Sequence, residues 1–233
     1  MIDLGRRDGR MLRVGHRGAA ALAPENTIEA LALALELGCD LVEVDVLALD
    51  GALVLAHSRA EVPAELATLD EALAFLAPGS CGIQLDLKAR AAEQALVEAV
   101  RKRGLVDRTV VSSFRAASLR TLHALEPGLR LGLTYPEDRF GVSGRHLFAP
   151  LVGATLSGMR AALPARIGRM LARSRATAAM LHWQVVTKAA VERCHALGAS
   201  VLAWTVLSRE PVRMLEELGV DGVIADDPRI LAG

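Results

Sequence analysis

The chain has 233 residues, 52% of them hydrophobic, with 27 Lys+Arg balanced by 27 Asp+Glu. That length suits one α/β domain whose core is large enough to dispense with disulfides. A neutral chain has no global field to gather nucleic acid or an anionic membrane, and 3% aromatic residues leave little surface for stacking bases.

Strand-like and helix-like patterns alternate along the sequence. Leu12 to Gly15 reads as a first strand, and Asn26 with Glu29 three residues later reads as a capping box. Ile28, Leu31 and Leu35 recur at helical spacing up to Gly38. Leu41 to Val46 is the second strand. Asp50-Gly51 is a turn, and Ala52 to Ala56 returns as a short hairpin strand ending at His57. Thr68 to Glu71 forms a second capping box, opening a helix with Leu69, Leu73 and Leu76 on one face.

Gly82 to Leu87 is the third strand, followed by a helix over Ala91 to Arg103. Thr109 to Phe114 is the fourth, Ala116 to Leu125 a helix, and Leu129 to Tyr135 the fifth strand. Pro136 to Pro150 is rich in glycine and polar residues and reads as a loop. Leu151 to Arg173 reads as helix interrupted near Pro164. Ala178 to Trp183, Ser200 to Val206 and Gly222 to Ala225 complete eight strands, with helices over Lys188 to Leu197 and Pro211 to Leu218. This order fits a single-domain (β/α)8 TIM-type barrel over residues 1–233. A doubly wound open sheet is the competing arrangement, but no GxGxxG follows the first strand.

Cys39, Cys81 and Cys194 are odd in number, far apart and outside any CxxC, so they read as reduced, buried residues. No signal-peptide pattern and no long apolar run is visible, so the expectation is a cytoplasmic protein without stable membrane insertion.

Side chains two apart on a strand share a face, so Glu43 and Asp45 point the same way. Two such carboxylates repel unless a cation or proton sits between them, and Mg2+ or Ca2+ suits an oxygen-only site. Asp86, near the end of the next barrel strand, is the third candidate metal ligand, and Lys88 shares its face. His16 and His57 each close a strand-like run, where barrel active sites lie, and can move protons near neutral pH. Arg17 can hold a phosphate by paired hydrogen bonds. His182 and Trp204 are candidates for the pocket wall. His123 and His195 lie within helices, away from the strand ends, and His146 falls in the long loop.

These residues resemble the glycerophosphodiester phosphodiesterase family. The likeness runs through His16-Arg17-Gly18, Pro24-Glu25-Asn26-Thr27, Glu43-Val44-Asp45, Asp50-Gly51 to His57, Leu85-Asp86-Leu87-Lys88, Ala203-Trp204-Thr205-Val206 and Gly219 to Ile224. The resemblance implies a (β/α)8 barrel with Glu43, Asp45 and Asp86 as ligands of a divalent cation. It implies His16 and His57 as the general acid/base pair, and Arg17 and Lys88 as phosphate-binding groups. The implied reaction cleaves a small-molecule glycerophosphodiester to glycerol 3-phosphate and an alcohol.

The chain departs from the family pattern at several places. Ser58 follows His57 where the family has aspartate, and Asp86 stands where glutamate is usual. Leu207 replaces an asparagine, and Ala225-Asp226 replaces Thr-Asp. The usual small insertion after the second strand is much shortened, so a more open pocket is expected. These departures motivate two alternatives: a lysophospholipid-cleaving phosphodiesterase, or a catalytically impaired barrel that binds a phosphorylated ligand. The sequence leaves a homo-oligomer open.

Overall fold

The computed structural model describes residues 1–61, 66–137 and 149–232. Of the loop expected over Pro136 to Pro150, residues 138–148, His146 among them, lie outside the described residues, and Ala149 and Pro150 already belong to the helix that follows. The strands are β1 (Leu12–Gly15), β2 (Leu41–Leu49), β3 (Ala52–Leu55), β4 (Gly82–Leu87), β5 (Thr109–Ser113), β6 (Arg130–Tyr135), β7 (Ala178–His182), β8 (Ser200–Val206) and β9 (Gly222–Ala225). The helices are α1 (Ile28–Glu36), α2 (Leu69–Leu76), α3 (Glu93–Lys102), α4 (Ala116–Leu125), α5 (Ala149–Ser174), α6 (Lys188–His195) and α7 (Arg209–Leu218).

Eight strands pair in parallel in the order β1-β9-β8-β7-β6-β5-β4-β2, and β1 pairs with β2 to close the barrel. The antiparallel β3 lies outside that ring, on the protruding half of β2, with Leu55 opposite Val46. Closure excludes the open-sheet alternative.

Alternation sorts the β2 side chains between two cores. Val42, Val44 and Val46 pack outward beneath the helices, while Leu41 joins Leu12, Val14, Val110, Met180 and Ile224 inside the barrel. Ile2 and Leu4 of the N-terminal segment fill the interior below them. Glu43 and Asp45 share the inward face with Leu41, one layer nearer the strand ends.

Several boundaries differ from the sequence reading. Thr27, not Asn26, caps α1, accepting from the Ala30 amide at 3.2 Å. Asn26 has φ +59 and is buried, so its side chain serves another purpose. α3 begins only at Glu93, because Ala91 takes φ +56. β7 ends at His182, and Trp183 opens a 3-10 turn. Pro164 does not interrupt α5: Leu163, Ile167 and Leu171 are buried one turn apart, and that packing outweighs the one hydrogen bond proline removes. The Thr68 capping box forms as expected. Cys39 and Cys194 are buried but Cys81 is only half-buried, because it lies just ahead of β4 at the edge of the fold; all three are free. No helix among the described residues is long and apolar enough to cross a membrane.

Candidate active site

The β1–α1 turn is built around close approach. Gly18, at φ +84, lies so near α1 that a Cβ there would stand 2.5 Å from the Ala30 carbonyl carbon. Its amide donates to the Glu43 carbonyl at 3.0 Å. The turn therefore lays His16 and Arg17 against the inward face of β2.

Register assembles the acidic centre. Asp45 lies opposite Asp86, and Asp86 opposite Ser112. Neighbouring strands are about 4.8 Å apart, so inward side chains at one level meet. Glu43, Asp45 and Asp86 are at most 5% exposed, and each offers an oxygen within 4.8 Å of the others.

Each carboxylate is held differently. The Arg17 amide donates to Glu43 Oε2 at 2.8 Å. Asp45 faces Lys88 Nζ at 2.9 Å and Arg17 Nε at 3.0 Å. Asn26 fixes it twice: Nδ2 donates to Asp45 Oδ2 at 3.2 Å, and the Asp45 amide donates to Asn26 Oδ1 at 3.0 Å. Asp86 Oδ1 accepts from Ser112 Oγ at 2.6 Å and Thr134 Oγ1 at 3.3 Å, while Oδ2 pairs with Lys88. Arg115 braces the chain carrying Lys88 by donating to the carbonyls of Leu87, Lys88 and Ala89.

Charge crowding appears in the ionisation preferences. Burial and the neighbouring Asp45 charge push Glu43 upward. Burial also opposes ionisation of Asp45, but Lys88 and Arg17 outweigh it and hold that carboxylate low. Burial would lower Lys88, yet Asp86, Asp45 and Glu43 raise it, so the ammonium stays charged. Glu43, Asp45 and Asp86, with Glu25 beside Arg17, set four carboxylates against the Lys88 ammonium and the Arg17 guanidinium, a surplus of acids over cations. An all-oxygen donor set with that surplus fits a divalent cation.

His16 leaves β1 with its amide on the Ala225 carbonyl at 2.9 Å. Its Nδ1 bonds Asp226 Oδ1 at 2.5 Å, and its Nε2 faces Glu43 Oε2 at 3.9 Å. Burial pulls the imidazole's pKa down, but the Asp226 hydrogen bond and the Glu43 charge raise it overall. With Nδ1 committed to Asp226, Nε2 is the nitrogen turned toward the acidic centre. His57 is half-buried just past β3, where the antiparallel chain heads back along β2 toward the level of Asp45.

Arg17 does not stand free: its Nη1 lies 2.7 Å from both Glu25 oxygens. The Lys88 ammonium lies 5.5 Å from the Phe114 ring centroid. Trp204 packs edge-on against both Phe114 and His182 and donates its indole N–H to the Met180 carbonyl at 2.8 Å. Burial lowers the pKa of His182. His195 is structural, bonding Asp221 at 2.8 Å.

Asn26, Asp226, Ser112, Thr134 and Arg115 were not singled out as site residues from the sequence. Two of them carry a signal: Asn26 stands in the Pro24-Glu25-Asn26-Thr27 run, and barrel closure sets the last strand beside the first, so the residue after Ala225 comes next to the residue after Gly15.

Fold and site together define an α/β-barrel enzyme with an acidic, histidine-bearing centre at its strand ends. The glycerophosphoryl diester phosphodiesterase family model matches residues 16–71 and 80–230. The chain is 26% identical to a glycerophosphodiester phosphodiesterase of Caldanaerobacter subterraneus subsp. tengcongensis, over 95% of this chain and 96% of that one. In fold it is similar to a glycerophosphodiester phosphodiesterase from Parabacteroides distasonis, with TM-score 0.75, 20% identity and 95% of each chain covered. It is likewise similar to an Oleispira antarctica phosphodiesterase in complex with the product sn-glycerol-3-phosphate, with TM-score 0.73, 23% identity and 94% of each chain covered. The chain belongs to the glycerophosphoryl diester phosphodiesterase family.

Proposed function

We propose that this enzyme hydrolyses small-molecule glycerophosphodiesters to glycerol 3-phosphate and an alcohol, with a divalent cation, Mg2+ or Ca2+, held by Glu43, Asp45 and Asp86. The observation that carries the reading is the buried carboxylate trio beside a histidine whose far nitrogen is fixed by Asp226. The cation supplies a positive charge that stabilises negative charge growing on the phosphoryl oxygens.

His16 and His57 are the proposed acid/base pair. One takes the proton of the attacking hydroxyl, from water or from the substrate's own glycerol, and the other returns a proton to the departing alkoxide. Asp226 supports His16 in this role by accepting from Nδ1, so that Nε2 handles the proton. Arg17 and Lys88 are the proposed phosphate-binding groups. Lys88 contributes from between Asp45 and Asp86, and Arg17 by exchanging its exposed partner Glu25 for the phosphate. His182 and Trp204 form the wall on the far side of Phe114. Three free cysteines suit a cytoplasmic setting, and the substrates link the reaction to glycerol and lipid metabolism.

The test is release of glycerol 3-phosphate from a panel of glycerophosphodiesters with Mg2+, Ca2+ or chelator. Release that requires the cation and is lost in His16→Ala supports the proposal. Cation binding without release from any diester would leave a phosphate-ligand-binding barrel in its place.

A further inference from the structure

The chain is neutral as a whole, but its charges are segregated. No Asp or Glu occurs between Asp138 and Glu192, and the same stretch carries seven arginines and one lysine. Its described part lies mostly on α5. There Arg166, Arg169 and Arg173, three and four residues apart, stand exposed on one side of the helix. Arg175 is exposed just beyond the helix end. The neighbouring helices add to them. Arg120 of α4 donates to the Arg173 carbonyl at 3.0 Å. The Arg193 guanidinium of α6 lies against α5 at Gly168, where a Cβ would stand 3.5 Å from its Nη2.

Several other arginines of the chain are neutralised: Arg7 and Arg10 share Asp40, Arg17 pairs with Glu25, Arg101 with Glu126 and Arg103 with Asp70. On this flank none of Arg166, Arg169, Arg173, Arg175 and Arg193 pairs with a carboxylate among the described residues. Like charges three and four positions apart destabilise a helix. The helix dipole offsets that only for Arg173, in the last turn, since its effect fades within one turn. Arg166 and Arg169 lie earlier and repel without that compensation.

We propose that this flank is a docking surface for an anionic phospholipid bilayer, to which the enzyme adsorbs peripherally. Exposed guanidiniums from three adjacent helices give a local positive field that matches a plane of phosphate headgroups. Leu197, 47% exposed, stands among them. It too meets α5 at Gly168, and it lines a recess of about 290 Å3 with Leu171 and Ala176. α4, α5 and α6 contain no Phe, Tyr or Trp. The flank therefore lacks both the stacking groups of a single-stranded nucleic-acid site and the aromatic anchors of a protein interface. Arginines around an exposed aliphatic side chain suit a lipid surface. Arg173 and Arg175, just ahead of β7, lie at the end of the barrel remote from the acidic centre. Docking and diester cleavage are therefore separable.

The experiment is cosedimentation with vesicles of phosphatidylcholine, alone or with about one third phosphatidylglycerol. The enzyme should bind only the anionic vesicles and be released as NaCl is raised to about 1 M, where the screening length falls to about 3 Å. An arginine at an anionic surface is worth about fivefold in affinity, so Arg169→Ala should weaken binding about fivefold, and Arg166→Ala, Arg169→Ala and Arg173→Ala together roughly a hundredfold. The same three changed to lysine should retain binding, which separates charge from any loss of folded enzyme. Arg90→Ala, at an exposed arginine beyond β4, should bind as the native enzyme does. Failure to bind the anionic vesicles, equal weakening by Arg90→Ala and Arg169→Ala, or loss of binding in the lysine variant overturns the docking surface. Binding to a DNA duplex with none to vesicles would assign the flank to nucleic acid and overturn it equally.

Discussion

Replacing Asp226 with asparagine isolates the one contact that fixes His16. The side chain keeps its shape and an oxygen that can accept from Nδ1, but loses the negative charge behind the 2.5 Å bond. A hydrogen bond to a charged group contributes about 1.5–3 kcal/mol, against about 0.5–1.5 for a neutral pair. Asp226 is 33% exposed, so water replaces part of what is lost and the lower end of the range applies. The difference is then about 1 kcal/mol, and at about 1.4 kcal/mol per tenfold kcat/KM should fall roughly fivefold. The assay is glycerol 3-phosphate release at saturating cation, paired with calorimetric titration of the cation and a melting curve. Asp226 reaches the acidic centre through His16, so cation affinity should change little while turnover drops. Full activity in Asp226→Asn, or a loss of cation affinity matching the loss of activity, would refute the argument that this carboxylate acts through His16.

Other perturbations test the rest of the architecture. Glu43→Gln should abolish cation binding and turnover together; at a hundredfold excess over Kd the cation should stabilise the native enzyme by about 2.7 kcal/mol, and that rise in Tm should vanish in the variant. Lys88→Met leaves Asp45 and Asp86 without their shared ammonium. In chelator it should melt well below the native enzyme, with the gap narrowing when Mg2+ is added. Gly18→Ala combines a left-handed φ with a Cβ driven into the α1 backbone. About 1–2 kcal/mol of backbone strain and about 1–3 of overpacking should lower Tm by roughly 5–15 °C, measured by calorimetry.

Asp40 provides the pH test. It is buried, which opposes ionisation, but two hydrogen bonds from Arg10 and the Arg13 amide hold its pKa below the ordinary 3.8. A depressed folded pKa gives stability that is complete above 3.8 and lost as pH falls through the folded value. Asp40→Asn should therefore cost about 1–2 kcal/mol at pH 7, allowing for the half-exposed Arg10, and the difference in denaturant midpoint should shrink below pH 3.8.

Much of this enzyme is written locally. The period of two along Leu41 to Val46 sends Glu43 and Asp45 inward with Leu41, and that requires nothing beyond strand geometry. The Thr68 capping box, and the glycines that turn the chain after His16, are equally local. Where local reasoning failed, packing or a distant partner decided. Pro164 reads as a helix breaker, but Leu163, Ile167 and Leu171 bury the same stretch. Asn26 reads as a helix cap by composition, but Asp45 claims its amide.

The sequence by itself determined the order of strands and helices, the inward acids and the histidines that end strands, since each depends on residues a few positions apart. Only the tertiary structure decided that Asp226 serves His16 from 210 positions away, that Ser112 and Thr134 hold Asp86, and that Lys88 lies between two acids. Those contacts exist because eight strands close on themselves. Closure sets the last strand beside the first and fixes which inward side chains share a level, a register that no single strand encodes.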